Sequence, residues 1–374
     1  MAQSQYGINI EFKNLAPSPA KINNSKPIAI IGDDTSLEGV HVAKNIEEAL
    51  GLVEEGSIKE SLKDIEATGL ESRFVLSAFI KDPDEAQNAK LALAAVDALK
   101  KVDQEHQIKP KFFLAPGYDG AGLRIALNNI AQRFRGIYAL GLEGKDEGAV
   151  NAEVQNITTH RGILSFQRVR RLDGEERPLS AFLVALYAKV MGEGEFGFAK
   201  TYSNRTIDGV ISIVDTVEYI LGQDCEADRL RAKGVSVCFV DDGIRAWGRH
   251  TRDKDLGIDS LHTIVIFDTI IESILTSQKR AIDMQLNDAL KEVTDSLDAF
   301  YRRLVANNVV VGYNMSVPAD LNTNETIMMG DLYVQQEIQE MPLVGRVVNK
   351  IYRVSTYGTE LIKQVNGAAA TQGA

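Results

Sequence analysis

Between residues 28 and 142 short apolar runs alternate with amphipathic stretches, and this alternation restricts the chain to few folds. The runs are "IAIIGDD" (28–34), "RFVLSAFI" (73–80), "KFFLAPG" (111–117) and "GIYALGL" (136–142). Each is too short for a buried helix and apolar on both faces, as a strand covered from two sides must be. The intervening stretches, roughly 45–65, 84–102 and 121–133, read as helices; in the second, Ala89, Leu91, Leu93, Val96 and Leu99 are among the apolar positions. Strand alternating with helix predicts an α/β unit with a largely parallel sheet.

The flanks read differently. In "QYGINIEFKN" (5–14) Tyr6, Ile8, Ile10 and Phe12 alternate with Gly7, Asn9, Glu11 and Lys13, a strand period. The next stretch, "LAPSPAKINNSKP" (15–27), reads as a linker. A strand detached in this way needs a sheet edge to join. Residues 150–235 are less regular, with a helix over 180–191 that Ser180 is expected to cap. "VSVCFV" (235–240) and "IRAWGRH" (244–250) are strand patterns joined by Asp241-Asp242-Gly243, a hairpin signal. Leu286, Leu290, Val293, Leu297, Phe300 and Leu304 then form one helical stripe, expected to be a core face. Strands are predicted over 309–317, 331–340 and 345–365, followed by a tail with no packing material (366–374). The expected divisions are 1–25 (arm and linker), 26–100, 101–255 (α/β), 256–345 (α+β) and 346–374 (arm and tail). The fold class is thus α/β and α+β: a compact core with strand-like arms at both ends.

Composition narrows the function classes. The chain has 374 residues and a net charge of −11, so a nucleic-acid backbone is not expected as a direct partner. Two cysteines, Cys225 and Cys238, fit a reducing compartment. The beginning, "MAQSQYGINI", has no secretory pattern, and "SAFLVALYAKVM" and "LHTIVIFDTIIESIL" are too short or interrupted to span a bilayer. The expectation is a soluble chain made in the cytoplasm, without membrane contact.

The search for chemistry yields little. Gly192, Gly194 and Gly197 have dinucleotide-loop spacing, but a helix rather than a strand precedes them, and Glu193 and Glu195 repel phosphate. "ALGLEGKD" has Gly144-Lys145, but Ala139 stands at the first glycine position and Asp146 replaces the magnesium-binding hydroxyl. "APGYDGAG" (115–122) follows a strand and opens a helix, so an anion fits there; an α/β enzyme binding a nucleotide at this turn is the competing reading. His41, His106, His160, His250 and His262 include no pair at metal-ligand spacing, and no serine elbow exists. No catalytic, cofactor or metal site is expected.

Several stretches together resemble the sheath proteins of contractile phage tails and R-type pyocins. They are "FFLAPG" (112–117), "DDGIRAWGRHT" (241–251), "VTDSLDAFYRRLVANNVVVGYNM" (293–315) and "ADLNTNETIMMGDLYVQQEIQEMPLVGRV" (319–347). The resemblance runs in order along nearly the whole chain and is weakest over about 145–180. It implies a structural, non-enzymatic subunit that polymerises with itself as six-fold helical rings around a tail tube, and whose sheath contracts to drive the tube through a cell envelope. The implied partners are further copies, the tube protein, and the baseplate and terminator proteins; the implied place is the virion tail, assembled in the host bacterial cytoplasm. It further implies that Tyr6, Ile8, Ile10 and Phe12, and Tyr352, Val354, Leu361 and Ile362, lie on strands donated to neighbouring subunits. A C-terminal helix would face the tube, with Lys279, Arg280, Arg302 and Arg303 as candidate contacts. Within "DDGIRAWGRHT", Asp241, Asp242 and Gly243 are expected to turn a hairpin and Trp247 to anchor a core or domain interface, with Arg245, Arg249 and His250 serving folding or lattice contacts. A cellular contractile injection system is the alternative setting.

Overall fold

A computed structural model describes residues 20–23, 25–118, 120–252, 260–355, 357–359 and 361–364. Tyr6, Ile8, Ile10 and Phe12 lie outside the described residues. The chain divides into a unit ending at Glu340 and a second beginning at Met341.

The first unit is built on six strands: β1 (Ile28–Asp33), β2 (Gly39–Ala43), β3 (Phe74–Phe79), β4 (Phe112–Leu114), β5 (Ile137–Gly141) and β6 (Gly162–Ser165). They lie in the order β2-β3-β1-β4-β5-β6, all neighbours parallel except β2 against β3. Alternate side chains enter two cores. Ile28, Ile30, Phe74, Leu76, Phe112 and Ile137 face one side, under the helices Ser57–Ala67 and Leu179–Met191. Ala29, Ile31, Val75, Phe113, Tyr138 and Leu140 face the other, under Glu85–Ala98 and Ala121–Phe134. This two-sided cover is why the strands read as unbroken apolar runs. The sheet crosses the division expected at residue 100, since β1 pairs with both β3 and β4.

Three local expectations are corrected. The helix expected over 45–65 is two, Ile46–Leu52 and Ser57–Ala67. Gly56 between them has φ +144°, and a Cβ there would stand 2.2 Å from the Asp33 carbonyl oxygen, so the chain breaks where it presses on β1. Ser180 is not a cap: the helix Leu179–Met191 starts after Pro178, and Ser180 is buried in its first turn. The linker expected over 15–27 is docked before it ends, with Ala20 and Pro27 buried and Lys111 N donating to the Pro27 carbonyl at 2.8 Å.

Smaller sheets follow. β7 (Arg168–Arg171) pairs antiparallel with β8 (Glu176–Pro178) and β9 (Val210–Ile213), and β10 (Val237–Val240) with β11 (Ile244–Trp247). The helices Leu261–Gln278 and Leu286–Ala306 lead to β12 (Val310–Ser316) and β13 (Gln335–Glu340), an antiparallel ribbon. Val293, Leu297, Phe300 and Leu304 are buried, so the stripe is a core face as expected, and only its first turn, at Leu286 and Leu290, is half open. The whole is α/β followed by α+β.

In the second unit, residues 341–355 carry no strand, and 358–359 and 361–364 are helical. The strand expected over 345–365 is therefore corrected at Leu361 and Ile362, which lie on the helical turn. A strand is completed by a partner, and a local Gly358-Thr359 turn needs none.

Candidate functional site

The hairpin at 241–243 forms as its residues require. Asp242 and Gly243 have φ +50° and +102°, and Asp241 N donates to the Gly243 carbonyl at 2.9 Å. Arg245 ties the loop down, donating to the carbonyls of Asp241 (2.7 Å) and Asn204 (3.0 Å). Trp247 sits edge-on to Phe239 (5.6 Å) and Tyr219 (5.9 Å), which stack on each other. The Arg231 guanidinium lies 3.9 Å above the indole, and Nε1 donates to Asp228 Oδ1 at 2.8 Å. Burial lowers the Arg231 pKa, with Arg249 adding to the effect. Burial likewise pushes the Cys238 thiol up to about 12, leaving it inert as a nucleophile. His250 bridges to Ser260. Among the described residues this stretch is a packed cluster, without acid, base and nucleophile converging on a space.

The strand order reverses at β1, so the crevice at the carboxyl ends of β1 and β4 is where an α/β sheet would hold a ligand. "APGYDGAG" lies there, and the crevice is filled from within. Tyr118 packs edge-on against Phe79 (5.2 Å) and donates to Asp33 Oδ1 at 2.8 Å. Burial opposes ionisation of Asp33, but hydrogen bonds involving Ser57 and Tyr118 outweigh it and hold the carboxyl below its ordinary range. Asp34 accepts from the backbone N–H groups of Ser36, Leu37 and Glu54. A phosphate here would meet two carboxylates, and cavities of about 650, 630 and 560 Å³ lie elsewhere. The glycines at 192–197 form a turn in which Glu193 pairs with Lys200 and Glu195 with Arg303. Asp146 caps the helix Glu147–Val154, accepting from Ala149 N at 2.9 Å. Among the described residues no group of three His, Cys, Asp or Glu could hold a metal, and no helix is long and apolar enough to cross a membrane.

The C-terminal part of the first unit carries a two-stranded ribbon packed on a helix. Tyr313 of β12 stacks on Tyr301 (5.0 Å) and donates to Asp298 Oδ1 at 2.6 Å, holding the ribbon on the helix Leu286–Ala306. Among the described residues β12 pairs only with β13 and β13 only with β12, so both outer edges are open. Two strands alone are marginal, and open edges are templates for further strands. An ionic seam binds the helix Leu261–Gln278 to the sheet: Asp268 is gripped by both terminal nitrogens of Arg161, and Glu272 takes Lys111, which also donates to the Phe134 carbonyl at 3.1 Å. Nothing in the local sequence announced this seam, because its partners are more than 100 residues apart.

Of the four basic residues named as candidate tube contacts, three are held by carboxylates. Arg280 pairs with Glu292 (3.3 Å), Arg302 with Asp298 (2.8 Å) and Arg303 with Glu195 while its guanidinium lies 5.6 Å from the Phe196 ring. Lys279 and Arg280 precede the helix Leu286–Ala306 and Arg302 and Arg303 end it. In the second unit Tyr352, Val354, Leu361 and Ile362 are exposed, as are Val344, Val347 and Ile351.

No protein-family model matches the chain. Over 243 residues it is 27% identical to a prophage major tail sheath protein of Pseudomonas aeruginosa (strain UCBPP-PA14), covering 63% of this chain and 62% of that one. It is 26% identical over 270 residues to the tail sheath protein of Escherichia phage P2, covering 69% and 67%. The matched part thus spans about two thirds of the length of these relatives. Among solved structures, the contracted helical sheath of the anti-feeding prophage matches at TM-score 0.70 and 16% identity, covering 94% of this chain and all of that one. The contracted sheath of the extracellular contractile injection system PVC matches at TM-score 0.71 and 15% identity, covering 95% and 99%. The resemblance read from the sequence holds: the curated relatives are tail sheath proteins, and the fold is that of contractile sheath subunits.

Proposed function

We propose that the chain is a non-catalytic structural subunit of a contractile sheath, polymerising with its own copies in six-fold helical rings around a tail tube in the virion tail. The observation that carries this reading is the β12–β13 ribbon, mounted on a helix and, among the described residues, open at both edges. Strands from neighbouring copies would complete it by β-augmentation, the N-terminal strand with Tyr6, Ile8, Ile10 and Phe12 from one copy and the segment with Tyr352 and Val354 from another. About six ladder hydrogen bonds per strand, at roughly 0.5–1.5 kcal/mol net each, give several kcal/mol per arm. Such pairing would hold while contacts between cores break and re-form.

The docked linker tightens this picture. Residue 14 is six residues from Ala20, which is buried, so the arm can reach at most about 20 Å from that anchor. Each acceptor ribbon must therefore come close to a neighbour's Ala20. With carboxylates where a nucleotide phosphate would sit, contraction would draw on energy stored in an extended lattice trapped behind a barrier. A purified sheath should then contract on triggering without nucleotide; a strict nucleotide requirement would disprove this. Tube, baseplate and terminator proteins are the further partners, with Lys279, Arg280, Arg302 and Arg303 as tube contacts to be tested by replacement with glutamate. An extracellular or cellular injection system is the second setting, supported by the neighbours of that kind.

The test is negative-stain electron microscopy of the full chain beside one lacking residues 1–14. Hollow tubes are expected from the first and not from the second. Tubes from both would remove arm exchange, and small discrete particles from both would return attention to ligand binding.

A further inference from the structure

A groove of about 650 Å³ opens where the helix Leu286–Ala306 begins. One wall is Leu286 and the loop before it, with Ile282 and Met284; the other is the short helix Asn324–Met329 and the lead into β13, with Met329, Leu332 and Val334. Ile282, Met284 and Met329 are exposed, and the apolar stripe of the long helix is half open at this end. A contiguous apolar face uncovered in this way marks a place of contact. Asp283 alone among the lining residues carries a charge. Asp331, between the lining residues Gly330 and Leu332, and Glu325, on the short helix, are exposed beside the groove. None of these three carboxylates has an ion pair among the described residues. The groove is apolar within and acidic at its rim.

The complementary features lie together in the second unit. Tyr357, Leu361 and Ile362 are exposed, and the last two stand on the helical turn 361–364. Tyr357 and Leu361 are four positions apart, the spacing of one helical face. A helical turn bonds its backbone internally, so it cannot extend an open sheet edge and offers a partner only its side chains. Charge selects the same occupant. From Asp320 to Glu340 the chain has five acidic residues and no basic one. From Met341 to Val365 it has four basic residues, Arg346, Lys350, Arg353 and Lys363, against Glu360. We propose that the turn carrying Tyr357, Leu361 and Ile362 of a second copy seats in this groove, with the basic stretch before it along the acidic rim. This rests on the reading of the chain as a self-assembling subunit, and adds a helix-in-groove contact to strand pairing. Val334 and Gln336 put the groove where β13 begins. Val354 is seven residues from Leu361, a reach of at most about 25 Å, so one arm can pair on the ribbon and seat its turn in the groove. Two different surfaces of one chain meeting in this way make a head-to-tail contact, which propagates into rings or helices.

Disulfide trapping in the full chain tests this. Both native cysteines are buried, so a new surface thiol reacts ahead of them. Met329→Cys chains mixed with Leu361→Cys chains should give at least about tenfold more cross-linked dimer than Leu361→Cys mixed with Leu172→Cys, an exposed site far along the sequence. The double variant Met329→Cys/Leu361→Cys should cross-link between chains. Leu361→Asp/Ile362→Asp and, separately, Ile282→Asp/Met329→Asp change only exposed side chains. Each should weaken self-association about tenfold or more in sedimentation velocity. Trapping no better than at Leu172, a cross-link confined within single chains, or association unchanged by both aspartate pairs would each overturn the contact. If the aspartate variants build tubes as the wild type does, the sheath reading stands and this contact falls. If copies cross-link through the groove but never build tubes, the contact stands and the sheath reading falls.

Discussion

Gly243 and Trp247 show how single residues fix the most distinctive stretch of this chain. A Cβ on Gly243 would meet Thr206 Cγ2 at 3.1 Å with φ held at +102°, so Gly243→Ala should cost about 1–2 kcal/mol. A lower urea midpoint at unchanged slope would report that, and an unchanged midpoint would mean the turn relaxes freely. Trp247→Phe keeps an aromatic ring but leaves Asp228 Oδ1 without its indole donor and Arg231 above a weaker π face. The expected loss is about 1–2 kcal/mol by circular dichroism, since the chain's one tryptophan is then gone. Asp268→Asn strikes deeper. It leaves the Arg161 guanidinium buried against an uncharged partner, and breaking such a pair costs about 3–5 kcal/mol. The hairpin was legible because Asp-Gly between strand patterns has one common solution. Arg161 and Asp268 were not, since each looks like an ordinary surface charge until the fold buries them together.

Among the elements, the clearest lesson comes from those whose neighbours decide them. The helix Leu179–Met191 is apolar nearly all round and is buried nearly all round, and the stripe on Leu286–Ala306 faces its core as the spacing required. The single helix expected over 45–65 breaks because Gly56 must lie against β1, which is a tertiary contact. β2 and β7–β9 escaped notice because their mixed polar and apolar residues carry little strand signal. The docked end of the linker offers a pH test. Burial, with Lys111 nearby, lowers the Lys26 pKa to about 8, while Glu272 pulls the other way. Lys26 Nζ itself donates to the Asn23 carbonyl at 3.1 Å. The charged form is disfavoured in the folded state, so the penalty is full below pH 8 and relieved as pH rises from about 8 toward the ordinary lysine value of 10.5. Stability should therefore rise across that window relative to Lys26→Met, measured as the difference between their denaturation midpoints at pH 7 and pH 9.5. Equal differences at both pH values would mean that Lys26 is hydrated in the folded chain.

For the molecule as a whole, the alternation over 28–142 determined an α/β sheet covered on both sides, and the stripe and strand patterns after 286 determined an α+β end. These are properties of local period: a residue's burial follows from its place in a helix or strand, and the sequence carries that place directly. The co-linear stretches also pointed to the sheath resemblance, which the relatives and the shared fold bear out. What only the tertiary structure decided depends on residues far apart in the chain meeting in space. It set the order of the six strands and the filling of the crevice by Tyr118 and Asp33. It also set the ionic seam at Glu272 and Asp268, the early docking of the linker, and the pairing of Arg280, Arg302 and Arg303 with carboxylates. It gathered Ile282, Leu286, Met329 and Val334 into a groove, although they come from two separate stretches. Pairing between distant segments is paid for by loop closure and rewarded by burial, and neither quantity is written in any local window of sequence.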